Sequence, residues 1–304
     1  MRKDTSDPPE GSKLPCVQPI KAFQRKRRLL RRERGLPTLF VPITRGPIEN
    51  FYHFFMGFFV PLYWNRTQHP AQDIAVMSAP PFNHWFDLLP GGAPKLVDQS
   101  KVAKEAMLAG RRGYGQHYRL EAIHYWDKWE HFSDRPLRAI ARQMHRDLSG
   151  LASATQSSSA EILILGRGHT PTFYAEHSAK RYGATKRNIP NLAEVTEILG
   201  DEYTVELADG AELSPLEMFV KCHQAKLILG QHGAGLTNVF FARPGSAMLE
   251  IVWPDFLDNA HINIYGPLCD ELGVKWSRPV LQEHPHDSVA PEKVLWEVQR
   301  LMAQ

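Results

Sequence analysis

The sequence predicts an α/β protein made of two Rossmann-like, doubly wound domains facing a cleft. Three observations point there. Short apolar runs alternate with helical segments along most of the chain, the pattern of parallel strands joined by crossover helices. The run Glu161-Ile-Leu-Ile-Leu-Gly166 is apolar without alternation, as expected of a strand buried on both faces. A Gly/Ser/Ala/Thr-rich stretch, Ser149 to Ala160, divides the chain and reads as a linker at about 151–160.

The elements follow in order. Residues 1–35 are a basic arm. Through residue 34 they hold eleven Lys/Arg and four Asp/Glu, a net of +7 in a chain of net charge +3, which leaves −4 for the rest. The cluster Arg25-Lys26-Arg27-Arg28 with Arg31, Arg32 and Arg34 fits an anionic-membrane or nucleic-acid arm, and equally a solvated basic start to a helix. No aromatic interleaving or nucleic-acid fold signature favours a nucleic-acid partner, so none is expected. A first domain, 36–150, holds strand Thr38–Ile43, an apolar helix Asn50–Trp64, strand Asp73–Ser78, a turn at Ala79-Pro80-Pro81, strand Tyr118–Tyr125 and helix Arg135–Leu148.

The second domain, 161–285, opens on the buried strand. Asn191 and Glu194 then form a capping-box pattern at a helix start. Strand Tyr203–Leu207, helix Pro215–Cys222, strand Lys226–Gly230, helix Gly235–Phe241, strand Ala247–Val252 and helix Asp258–Leu272 follow. A last helix, Pro291–Met302, lies in 286–304.

Composition narrows the class. With 43% hydrophobic and 23% charged residues, the 304-residue chain is neither collagen, coiled coil nor a disulfide mini-protein. Its length allows burial of roughly 75% of the unfolded surface. Cys16, Cys222 and Cys269 lack metal-type spacing, which argues for a reducing compartment and against zinc. No segment reaches the ~20 apolar residues of a membrane span, and the N-terminus has no apolar signal core. The expected location is cytoplasmic, with the arm giving peripheral contact to an anionic membrane.

The sharpest chemical feature is Lys226-Leu-Ile-Leu-Gly-Gln-His232-Gly233-Ala234-Gly235-Leu-Thr237-Asn238. A buried strand runs into small residues and then a helix, whose first N–H groups and dipole suit a diphosphate. Thr237 adds a hydroxyl donor, and His232 could bond or protonate a phosphate oxygen. The same turn also serves plain packing. Arg167 after the first strand of this half, and Arg187 before Asn191, could clamp phosphate bidentately. Glu250, ending Ala247–Leu249, could accept from ribose hydroxyls. Each alone also fits a surface ion pair; together they favour a nucleotide-diphosphate site.

Leu213-Ser-Pro-Leu-Glu-Met218, Gly230-Gln-His-Gly-Ala-Gly-Leu-Thr-Asn238, Phe240 and Pro244-Gly-Ser-Ala-Met-Leu-Glu250 resemble the signature block of glycosyltransferase family 61, which includes xylosyl-, arabinosyl- and N-acetylglucosaminyltransferases. Arg187-Asn-Ile-Pro-Asn191 resembles its Arg-x-x-x-Asn element, and Asn50-Phe-Tyr-His53 with Pro61-Leu62 its N-terminal element. The resemblance implies a GT-B fold, a nucleotide-sugar donor (a UDP-sugar) on the second domain, an acceptor on the first, inversion at the anomeric carbon, and a final helix packing across the domain junction. Family members usually carry Asp four residues after the N-terminal His, where this chain has Gly57. His53, with His84 or Asp87, is the candidate replacement as catalytic base; all three also fit structural roles.

No Asp-x-Asp triplet occurs, so neither metal nor other cofactor is expected. The expected activity is hexosyl or pentosyl transfer to a glycan or lipid-linked acceptor in polysaccharide biosynthesis. Two rivals remain. One is a non-catalytic nucleotide-sugar binder or scaffold, given Gly57. The other is a nucleic-acid-binding protein acting through the arm. Asn65-Arg-Thr67 matches a glycosylation acceptor, and with no apolar signal core at the start of this sequence the match is expected to be accidental.

Overall fold

Strand β1 (Thr38–Ile43) is buried at all six positions, as a central parallel strand covered on both faces must be. The computed structural model to which it belongs describes residues 36–43, 48–112, 117–124, 129–152, 159–166, 188–210, 212–257 and 263–304. It forms two compact units, Met1–Asp127 and Lys128–Gln304. Each holds an all-parallel sheet, so the α/β class is observed in both.

In the first unit, Asn50 caps helix α1 (Phe51–Phe54) by accepting from the Tyr52 N–H. A π-helical turn (Phe55–Phe59) carries the chain into α2 (Val60–Gln68), extending the expected single helix by four residues. Gly57 lies buried in that turn. Strand β2 (Ile74–Met77) follows. The expected turn at 79–81 is the start of a 3-10 helix, Pro80–Leu88, where prolines fit because the first turn needs no N–H partner. Two elements were not foreseen: β3 (Lys95–Val97) and α3 (Gln99–Arg112). With β4 (Arg119–His124), the sheet order is β3-β2-β1-β4.

The second unit begins before the expected boundary at 150. Helix α4 (Leu137–Leu151) buries Leu137, Ile140, Ala141, Met144 and Leu148, one stripe at helical spacing. That stripe meets second-unit helices, and Arg138 donates to the carbonyls of Glu271 and Asp270 at a helix end. The composition change at Ser149 therefore marks the end of a helix, which runs to Leu151, and not the change of unit. Residues 153–158 of the expected linker lie outside the described residues.

The rest of the unit comprises β5 (Ile162–Gly166), α5 (Leu192–Gly200), β6 (Val205–Asp209), α6 (Pro215–Gln224), β7 (Leu227–Gln231), a 3-10 helix Ala234–Phe241, β8 (Ala247–Ile251), α7 (Pro254–Leu257), α8 (Tyr265–Leu272), β9 (Lys275–Ser277) and α9 (Pro291–Met302). The sheet order is β6-β5-β7-β8-β9. The order reverses direction between β5 and β7, the position where open α/β sheets hold ligands beyond the strand carboxyl ends.

The two faces of this sheet are covered differently. Leu227, Leu229, Ala247, Leu249 and Ile251 join Val195 and Leu199 of α5 and Val294, Val298 and Leu301 of α9 in one apolar core. Helix α9, expected across the domain junction, has its buried face on its own sheet. The opposite face carries Met248, whose Sδ lies 3.8 Å from Cys269 Sγ on α8. Near α4 and α6, His145 and His223 meet edge to face at 4.6 Å. Burial, followed by the nearby His223, pushes the His145 pKa down to about 4 against a bond to Phe240. Cys222 and Cys269 are buried free thiols raised by desolvation.

The capping box expected at Asn191 does not form. Asn191 instead accepts from Val289 N–H at 3.0 Å and donates to Val289 O at 2.9 Å, tying the α5 start to the segment before α9. A capping box does form at α6, between Ser214 and Glu217.

Candidate donor site at the carboxyl edge of the second sheet

Sequence register alone brings three charged or polar side chains together at this edge. Gly230 pairs with Glu250, and Leu249 with Ser277, while Val252 bridges Val280 further on. Glu250 and Arg278 are therefore cross-strand neighbours, and His232, two residues beyond Gly230, shares their face. The side chains meet accordingly. His232 Nδ1 is hydrogen-bonded to Glu250 Oε1, and Arg278 Nε lies 3.4 Å from Glu250 Oε2. Glu250 has no solvent exposure, with His232 at 8% and Arg278 at 9%. Taking a carboxylate out of water costs several kcal/mol, so a charge partner and a donor are both needed.

The turn between β7 and the 3-10 helix is fixed from below. Tyr265 on α8 donates to Gly233 O at 2.6 Å, and Thr237 Oγ1 stands 3.4 Å from the Tyr265 hydroxyl. Leu236 N–H donates to Gly233 O, and Asn238 Nδ2 to Gly235 O. Gly230 permits this closeness: a Cβ there would stand 3.1 Å from Leu236 Cδ2. Gly235 differs. It is exposed, and a Cβ would meet nothing within 4 Å, so the protein's own packing does not require glycine there. The expected α-helix at Gly235 is a 3-10 helix starting at Ala234, whose first N–H groups still lack intrahelical partners.

On the other face, Gln231 and Gln282 form a buried amide pair. Gln231 Nε2 donates to Gln282 Oε1 at 2.7 Å and to Pro285 O at 2.9 Å. Gln282 Nε2 reaches Asn188 O at 3.1 Å, and Asn188 N–H donates to Pro285 O. The residue following Arg187 is thus bonded into the same edge.

The first unit has its own carboxyl-edge residues. His53 sits on α1, just after β1, and its ring meets Tyr52 at 5.5 Å. His84 and Asp87 are exposed on the 3-10 helix after β2. Phe51 packs on Trp85 at 5.1 Å and Phe54 on Phe82 at 4.8 Å, which joins the two helices. Partial desolvation pushes the His84 pKa down, with the Asp87 charge opposing it.

The family model for Glycosyltransferase 61 matches residues 51–249, about two thirds of the chain. The chain belongs to that family. It is a glycosyltransferase, an enzyme that takes a sugar donor and a glycan acceptor. No curated protein matches it.

Within this family 61 enzyme, the structure brings His232, Gly233, Ala234, Gly235, Thr237 and Glu250 together. Thr237 is fully buried beneath the turn, and Glu250 is engaged by His232 and Arg278. Arg167 and Arg187 lie outside the described residues. Sequence reasoning missed Arg278, Tyr265, Gln231 and Gln282. The signal for Arg278 was the short polar-apolar alternation at 274–277: read as a fifth parallel strand, it puts the next residue at this edge. Among the described residues no helix is long and apolar enough to cross a membrane.

Proposed function

We propose that this glycosyltransferase moves a hexosyl or pentosyl unit from a UDP-sugar to a hydroxyl of a glycan or lipid-linked acceptor, with inversion, on a two-domain GT-B frame. The observation that carries the reading is the turn at Gly233–Gly235. It lies beside the point where the sheet order reverses, has open space over Gly235, and starts a 3-10 helix whose first N–H groups have no intrahelical partners. The diphosphate is bound there, with Arg167 and Arg187 as cationic partners and His232 on a phosphate oxygen. Glu250 acts by holding His232, not by binding ribose. Fixed positive groups stabilise the departing UDP without a metal, a role suited to a chain lacking Asp-x-Asp. On the first domain, His53 or Asp87 takes the proton from the acceptor hydroxyl as it attacks the anomeric carbon.

Calorimetric titration with UDP in EDTA and again in Mg²⁺ tests the donor half. Equal affinity in both is the expected result; affinity that collapses in EDTA overturns the metal-independent reading, and a preference for GDP or CMP overturns the donor class. The basic arm holds the enzyme at an anionic cytoplasmic membrane surface, at about 1 kcal/mol per basic side chain. Deleting residues 1–34 should remove sedimentation with anionic vesicles and spare UDP binding; vesicle binding unchanged by the deletion contradicts it.

A further inference from the structure

We infer that Arg278 is a positioning residue for His232, acting through Glu250. The inference rests on the donor-site reading above and deepens it. Arg278 lies outside the stretch matched by the family model and just past a three-residue edge strand. An arginine there with only a surface role would reach into solvent. This one is 9% exposed, and its Nε faces the fully buried Glu250 carboxylate at 3.4 Å. Its place is fixed by the ladder on both sides, through Leu249–Ser277 and Val252–Val280.

A carboxylate can only accept hydrogen bonds, so the bond from His232 to Glu250 Oε1 puts a proton on Nδ1. Nε2 is then the ring atom left to face a donor phosphate, and because a phosphate oxygen only accepts, Nε2 must carry a proton as well when that bond forms. The backbone on either side is also held: His232 N–H donates to Ile251 O at 2.9 Å, and Tyr265 grips Gly233 O. Of the charged groups described at this cluster, Arg278 is the one that offsets Glu250. Removing it would leave the carboxylate to be satisfied by the imidazole alone, which changes the ring's proton pattern and its orientation.

The test uses the full chain with ¹⁵N-labelled histidine, the His232 ring signals being assigned by their loss in His232→Gln. The unaltered protein should show a protonated Nδ1 throughout, UDP binding, and an Nε2 that carries a proton in the UDP complex. Arg278→Gln should lose that ring pattern and weaken UDP binding by at least about tenfold, the loss of one charge-assisted bond. Arg278→Lys should restore most of both. Wild-type ring signals and UDP affinity in Arg278→Gln would overturn the inference. If that variant does not fold, Arg278→Met, which keeps Glu250 and much of the apolar stem's volume, carries the same readouts. Loss of pattern and affinity supports the inference, and retention of both overturns it. A chain that never binds UDP but shows the ring pattern responding to Arg278 fails the donor reading alone.

Discussion

At the carboxyl edge of the second sheet the polar groups lie inside. Glu250 has no exposure, His232 and Arg278 almost none, and Gln231 and Gln282 bond to one another and to main-chain carbonyls. At the corresponding edge of the first sheet, His84 and Asp87 stand exposed on a 3-10 helix anchored by Phe51, Phe82 and Trp85. The second edge is held by polar bonds that have replaced water, the first by aromatic burial with polar tips left wet. Polar substitutions should therefore disturb the fold at the second edge and leave it largely intact at the first.

The largest expected effect is at Glu250. Glu250→Ala leaves Arg278 buried without its carboxylate and should destabilise the protein by about 3–5 kcal/mol. His53→Ala, at the wet edge, should cost about 1 kcal/mol or less. Chemical unfolding of the two variants side by side measures the contrast. A small loss for Glu250→Ala would mean that the buried ion pair does not hold the edge together.

That contrast was only half legible in the sequence. Central strands and long amphipathic helices announce themselves: β1 and α9 match their expected bounds residue for residue, because six consecutive buried positions or three buried turns leave a clear pattern. The His-Gly-Ala-Gly turn was legible for the same reason, lying between a buried strand and an apolar helix. Edge strands β3 and β9 have three residues each, an alternation short enough to pass over, and Arg278 was missed together with β9. Glu250 and Thr237 are fully buried, Thr237 beside the Tyr265 hydroxyl of α8 and Glu250 against His232 and Arg278, partners that no local pattern announces. Asn191 had the right spacing for a cap but found a better partner 98 residues away at Val289. Local pattern cannot see a partner supplied by the fold.

A second expected effect separates acid from neutral behaviour. His145 is held at about 4 in the fold against 6.5 when unfolded, so the unfolded chain binds more protons below 6.5. Stability should fall as pH drops from 6.5 towards 4 and then level, by on the order of 3 kcal/mol for this group. Because the ring packs between α4 and α6, the loss should appear in the second unit. Urea unfolding across this range, compared with His145→Leu, reads the slope directly. The variant should lack this component of it, at some cost at neutral pH from the lost bond to Phe240. An identical slope in both proteins would remove His145 as its source.

The smallest effect on the fold is expected at Gly235, where the two edges can be compared by binding instead of stability. A Cβ there meets nothing within 4 Å, and the residue is exposed, so Gly235→Val should change stability by about 1 kcal/mol or less, mostly through the stiffness of a β-branched side chain in a helical turn. The added methyl groups would occupy the open space over Gly235, where the diphosphate is proposed to approach the backbone. UDP affinity should then fall by at least about tenfold, roughly 1.4 kcal/mol. His53→Ala should leave UDP affinity within about threefold, since His53 belongs to the other unit's edge. Thermal melts and UDP titrations on both variants decide the matter. Normal UDP affinity in a folded Gly235→Val would make this turn a packing device, and an equal loss in His53→Ala would show that the donor site draws on both edges.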